Sequence, residues 1–152
     1  MTTITVIGVG NPERGDDGAG REVARRLGAL GFKGARIVEA DGEATALLAL
    51  MEKASSVFLI DACVSGAPAG SVRRVDLAQS PLPDARYGVS SHGFGLAEAI
   101  ALGVALGALP PRCVLYAIEG QGFEVGAPLS TAVSAAVGQV VEALSREIQA
   151  LQ

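Results

Sequence analysis

Ile4-Thr5-Val6-Ile7-Gly8-Val9-Gly10-Asn11-Pro12-Glu13-Arg14-Gly15-Asp16-Asp17-Gly18-Ala19-Gly20 carries a β-branched apolar run through a glycine-rich turn into a helical pattern. In nucleotide-binding folds such a turn aims backbone N–H groups and a helix N-terminus at phosphate. Here Glu13 stands where the third glycine of G-x-G-x-x-G would be, and Asp16 and Asp17 bring two carboxylates to the helix entrance. Phosphate would meet like charge. The corner suits a cation.

Outward from this stretch, the apolar period alternates between strand and helix. Residues 3–8 read as a strand, and residues 17–30 as a helix with Ala19, Val23, Leu27 and Leu30 on one face. A strand at 36–40 is followed by a short helix at 44–53 that buries Leu47, Leu48 and Met51. Residues 56–60 form a continuous apolar run, the type buried on both faces of a parallel sheet. Ser65-Gly66-Ala67-Pro68-Ala69-Gly70 is turn chemistry, and the strand after it, 71–77, comes too soon for a helical crossover. It is predicted to be an antiparallel edge strand. A loop at 78–91, a helix at 96–106, a fifth strand at 112–118 and a long amphipathic helix at 131–151 complete the order. The pattern predicts an α/β fold: a three-layer α/β/α sandwich around a mostly parallel five-stranded sheet.

The 152 residues suit one domain spanning 1–152, large enough to bury a core without staples. Apolar residues make up 49% and aromatics 4%, which fits a core of small aliphatic side chains. A net charge of −4 without a basic stretch argues against electrostatic capture of nucleic acid. Residues 1–5 lack the basic flank and apolar run of a signal peptide. The uncharged run 99–111 is too short for a bilayer and ends in Pro110-Pro111, so a cytoplasmic protein is expected. Cys63 and Cys113 form no CxxC pair; both read as small packed thiols, with a disulfide disfavoured.

In doubly wound sheets ligands bind beyond the carboxyl ends of the strands. The acids gather there: Asp17 after strand one, Asp41 after strand two, Asp61 after strand three, Glu119 after strand five. Acids also cap helices, and one capping aspartate accounts for one member of the Asp16-Asp17 pair. Asp16 is assigned the cap and Asp17 the site. Asp61 would otherwise be a simple strand terminator, but its strand is predicted central, which turns it into the crevice. The single histidine, His92, is flanked by Ser91 and Gly93, so it needs only its loop to cross the same edge. Asp41-Gly42 reads first as a turn and second as a substrate-orienting element, and Glu119-Gly120 has the same two readings. A Cys63–His92 nucleophile pair lacks a third residue to orient the imidazole. Two carboxylates and one imidazole make a donor set suited to Zn²⁺ or Ni²⁺ with a position left for water or substrate.

Taken in order, Gly8-Val9-Gly10-Asn11, Asp16-Asp17-Gly18-x-Gly20, Asp41-Gly42, Ile60-Asp61-Ala62 and Ser91-His92-Gly93 resemble the motifs of the hydrogenase maturation proteases. These are the nickel-dependent endopeptidases that trim the large subunit of NiFe hydrogenases, and the resemblance covers nearly the whole chain. It implies that Asp17, Asp61 and His92 grip Ni²⁺ and carry the catalysis, with the metal arriving in the precursor rather than residing in the enzyme. Zn²⁺ or Cd²⁺ would fit the same ligands. It further implies a large-subunit precursor as partner, removal of its C-terminal extension, and a part for Asp41 and Gly42 in recognising it. Glu13 and Glu43 depart from residues common in the family, which bears on loop packing and substrate choice.

Either the metal activates water or polarises the scissile carbonyl, or a carboxylate acts as base while the others hold the ion. A non-catalytic module that senses nickel occupancy in a partner would use the same ligands. A small dinucleotide-binding domain is a third reading, resting on Gly8-x-Gly10 with Glu39 or Asp41 after strand two.

Overall fold

The computed structural model describes residues 3–79 and 93–152. Among them the chain runs β1 (Ile4–Val9), a 3-10 turn (Gly15–Gly18), α1 (Ala19–Ala29), β2 (Ala35–Ala40), α2 (Ala44–Met51) and β3 (Ser56–Cys63). It continues with β4 (Val72–Asp76), α3 (Gly93–Leu106), β5 (Arg112–Glu119) and α4 (Thr131–Ala150). The sheet order is β2-β1-β3-β5-β4, with β4 antiparallel to β5 and every other pairing parallel. The alternation of period 2 and period 3.6 thus yields the expected mostly parallel sheet, and the short 64–71 connection yields the antiparallel edge.

Side chains alternate across a strand, so each strand serves two cores. Val6, Phe58, Ile60, Val114 and Ile118 pack with α1 and α4 on one face. Ile7, Leu59, Cys63, Leu115 and Ala117 pack on the other with Leu47 and Met51 of α2 and Leu96, Ala99 and Ile100 of α3. That makes three layers. β1 and β3 are buried along their whole length, as both-faced coverage requires. Each fully enclosed Phe58, Ile7 or Leu59 contributes roughly 1.5–3 kcal/mol through burial alone.

Three expectations are corrected. The first helix begins at Ala19 after a separate 3-10 turn, and Leu30 lies past its end with 59% of its surface exposed. β3 does not stop at Ile60: its pairing with β5 runs on through Asp61↔Ala117 to Cys63↔Glu119, so Asp61 sits inside the strand. The third helix starts at Gly93, three residues early. No helix among the described residues is long and apolar enough to cross a membrane.

Candidate active site

The carboxyl ends of β1, β2 and β3 form one edge, and three buried acids belong to it: Asp16 and Asp17 at 1% exposure and Asp61 at 3%. Close backbone approach brings them together. A β-carbon on Gly20 would lie 2.3 Å from the Ile60 carbonyl oxygen and 2.6 Å from that of Val9. Only glycine lets α1 enter this near to the sheet. Gly10 has φ of 140°, open to glycine alone, and a β-carbon there would lie 2.0 Å from the Asp17 carbonyl oxygen. The chain therefore folds back so that the Asn11 N–H donates to Asp17 Oδ2 at 3.2 Å.

The adjacent acids have opposite surroundings. Asp16 does not cap the helix that follows it, contrary to its sequence assignment. Its carboxylate accepts from the backbone N–H of Gln121 (2.8 Å), Gly122 (3.1 Å) and Ser130 (2.7 Å), and from the Ser130 hydroxyl (2.9 Å). Its own N–H donates to the Gly122 carbonyl at 2.8 Å. Burial opposes its charge, but the N–H groups of Ser130, Gln121 and Gly122 outweigh burial and hold the carboxyl below its ordinary range. Asp16 is thus the anchor of the 120–130 connection, and it meets the chain just before α4.

Asp61 has no such shell. Its Oδ1 is buried without a hydrogen-bond partner among the described residues. Burial first, and the charge of nearby Asp17 second, push its carboxyl well above the usual range, against a pull from the Ala62 N–H. A buried carboxylate with an unused oxygen beside a second carboxylate is costly as it stands. A divalent cation held by both would remove the repulsion and the unmet acceptor together, so the chemistry of the pair fits a hard or borderline metal ion. Asp61 shares its sheet face with Leu59 and Cys63, which pack against α3. The predicted third donor, His92, lies outside the described residues. Among those described, no cluster of three or more His, Cys, Asp or Glu is assembled.

The family's sequence model, "HycI: Hydrogenase maturation protease", matches residues 22–147. The chain belongs to the hydrogenase maturation protease family. No curated protein sequence matches it. Among solved structures it is similar to the hydrogenase-maturating endopeptidase HybD from E. coli: 20% identity over 97% of this chain and 93% of that one, with a TM-score of 0.81. An endopeptidase from Escherichia coli superposes with a TM-score of 0.83 at 22% identity, covering 94% and 90%. The NiFe hydrogenase maturation protease HycI from Thermococcus kodakarensis KOD1 reaches 0.73 at 23%, covering 97% and 93%. At these identities the superpositions speak for the shared fold.

The remaining sites predicted from sequence fall at the same edge of this maturation protease. Asp41 is exposed and its Oδ1 accepts from the Glu43 N–H at 3.1 Å, the turn expected of Asp-Gly. Gly42 is buried, and its carbonyl packs directly on Gly95 in the first turn of α3. Glu43, one of the two departures, is the N-cap of α2, accepting from the N–H groups of Thr45 and Ala46. The other, exposed Glu13, contributes its backbone: its carbonyl accepts from Gly126 at 2.7 Å. Glu119 is no turn residue; it is 3% exposed and accepts from the N–H and hydroxyl of Ser65. Burial, reinforced by Glu119, pushes the Cys63 thiol up to about 12, which leaves it protonated and inert near neutrality.

The dinucleotide reading fails for a local reason. The N–H groups of Asp16 and Asp17 are already given to the carbonyls of Gly122 and Arg14, so the turn has none there to offer phosphate. The larger described clefts, near 550 and 570 Å³, open at the opposite end of the strands around Ser56, Arg112, Thr3 and Glu52. They hold no pair of buried acids.

One residue escaped the sequence reading. Arg21, one position past Gly20, spans the ends of β1 and β2: it donates to Gly10 O at 3.0 Å, Ala40 O at 3.3 Å and Glu39 Oε1 at 2.9 Å. In the sequence it is one of four arginines in or beside α1 and carries no distinguishing mark.

Proposed function

We propose that this protein is a nickel-dependent endopeptidase that removes the C-terminal extension of a NiFe hydrogenase large-subunit precursor in the cytoplasm. Family membership supports the class of reaction and the class of partner. The observation that carries the metal dependence is the buried, partner-free Oδ1 of Asp61 beside the charge of Asp17. Nickel arriving in the precursor would be gripped by Asp17, Asp61 and His92, and Zn²⁺ or Cd²⁺ would substitute. Held there, the cation would supply Lewis acidity toward the scissile carbonyl or toward an attacking water. Asp17 is pre-set for this by the Asn11 N–H, which fixes one of its oxygens. Exposed Asp41, on the turn that buries Gly42, would orient the extended peptide entering along the strand ends.

The test mixes purified protein with nickel-loaded and nickel-free precursor and follows precursor mass. Loss of the extension from the nickel-loaded form alone is expected. Asp17→Ala, Asp61→Ala and His92→Ala should each stop it; Asn and Gln are avoided because their carbonyl oxygens still bind metal. Equal trimming of both precursor forms, or trimming that survives all three substitutions, rejects the proposal. Binding of the precursor without any mass change would leave a sensor rather than a protease.

A further inference from the structure

The Arg21 side chain joins the loop carrying Asp17 to the loop carrying Asp41. β1 and β2 are already paired through six registered positions, and Gly10 N–H extends the ladder to the Ala40 carbonyl at 3.1 Å. Holding the strands together therefore does not require Arg21. Its guanidinium sits just beyond the ladder, where the two chains part. There it bonds the carbonyls of Gly10 and Ala40, with Glu39 closing the fork. Gly10 is in van der Waals contact with the Asp17 backbone and precedes Asn11, whose N–H holds the Asp17 carboxylate. Ala40 precedes Asp41, which makes the turn into Gly42. A planar five-donor group is the side chain suited to binding two carbonyls and a carboxylate at once. The side chain is 23% exposed, so much of this contact is shielded from competing water.

From this geometry we infer that Arg21 is a positioning residue: it fixes the Asp17 loop relative to the Asp41-Gly42 loop, so that a peptide oriented at Asp41 is presented to Asp17 and Asp61. The inference deepens the proposed protease function and rests on it. The Arg21 guanidinium is engaged by Glu39 and by the carbonyls of Gly10 and Ala40, so its assigned role acts through the two loops. Each loop keeps its own contacts without it, so binding of the precursor persists while alignment is lost.

Arg21→Ala is compared with Arg25→Ala. Arg25 also pairs with Glu22 and Glu39 from the same helix but donates to neither the Gly10 nor the Ala40 carbonyl. Arg21→Ala is expected to lower kcat by about ten- to hundredfold, the scale of an ångström-sized misplacement, with KM changed little. Millimolar guanidinium, far below denaturing concentrations, should restore part of kcat, and Arg21→Lys should not. Arg25→Ala should keep kcat. In the protein alone, amide hydrogen exchange at Asn11 and Glu43 should quicken in Arg21→Ala and stay unchanged in Arg25→Ala. A kcat for Arg21→Ala within about twofold of the unsubstituted enzyme, or an equal fall in Arg25→Ala, overturns the assignment. Should the unsubstituted protein fail to process nickel-loaded precursor, the protease reading is what has failed. The exchange comparison then still decides whether Arg21 couples the loops: unchanged Asn11 and Glu43 amides would reject it.

Discussion

Asp16 and Asp61 are both buried acids at the same sheet edge, yet the molecule treats them in opposite ways. Around Asp16, three backbone N–H groups and a hydroxyl converge on one carboxylate, and the 120–130 connection is wrapped to supply them. Around Asp61, one oxygen has no donor among the described residues, and burial and then the charge of Asp17 disfavour ionisation against a single pull from the Ala62 N–H. The first arrangement lowers the free energy of the folded chain. The second raises it, and persists because the rest of the core enforces it. That asymmetry, which needs no relative to be seen, is what the proposed division between a structural acid and a site acid rests on.

The comparison breaks most visibly in activity. Asp61→Ala should abolish precursor processing while the fold holds or gains about 1–3 kcal/mol, because it deletes a buried acceptor that has no partner. Denaturant unfolding beside the mass assay checks both halves. A loss of stability beyond 1 kcal/mol would mean that Asp61 is a structural acid after all. Asp16→Ala should do the reverse in energy, costing about 2–4 kcal/mol by leaving buried N–H groups without an acceptor.

The two variants should also reshape the pH profile of stability with opposite sign. Asp16 has a lowered native pKa, so the native state binds fewer protons than the unfolded chain on the acid side. Its contribution is present above the ordinary aspartate range and lost as pH falls through the native value. Asp61 has a raised native pKa, so it favours folding below the ordinary range and weakens it as pH climbs toward the native value. Unfolding free energies measured from about pH 3 to pH 8 should therefore rise less with pH in Asp16→Ala and decline less in Asp61→Ala. Parallel profiles would erase the distinction.

The sheet was legible because its strands announce themselves locally: Val57 to Ile60 is apolar without a break, and a six-residue turn before Val72 forbids a crossover. The edge that gathers Asp17 and Asp61 followed from strand order, since the carboxyl ends of parallel strands converge wherever the sheet is doubly wound. Asp16 was misassigned because its partners lie more than a hundred residues away, at Gln121, Gly122 and Ser130, and nothing near Asp16 encodes them. A helix start beside an acid reads as a cap from local sequence; here the 3-10 turn swings the carboxylate off that axis. Asp61 inside β3 was missed for a related reason. A buried charge breaks the apolar run, but the β3–β5 ladder continues past it to Cys63↔Glu119. Arg21 needed coordinates, because its meaning lies in two carbonyls that every residue carries.

The smallest expected effect sharpens the contrast from a third group at the same edge. Cys63 lies two residues beyond Asp61 on the same sheet face and, like Asp61, carries a raised pKa, to about 12. It differs in having a partner, since its thiol donates to Glu119 Oε1 at 3.6 Å. A thiol that stays protonated near neutrality is a poor nucleophile and a poor metal ligand, so it should behave as packing. Cys63→Ala is expected to keep processing within about twofold and to cost roughly 1 kcal/mol, the scale of one small buried group. The native thiol should react with iodoacetamide at pH 8 far more slowly than the same thiol in denaturant. Rapid alkylation that stops processing would move Cys63 from the scaffold to the chemistry. The contrast would then set Asp16 against both Asp61 and Cys63.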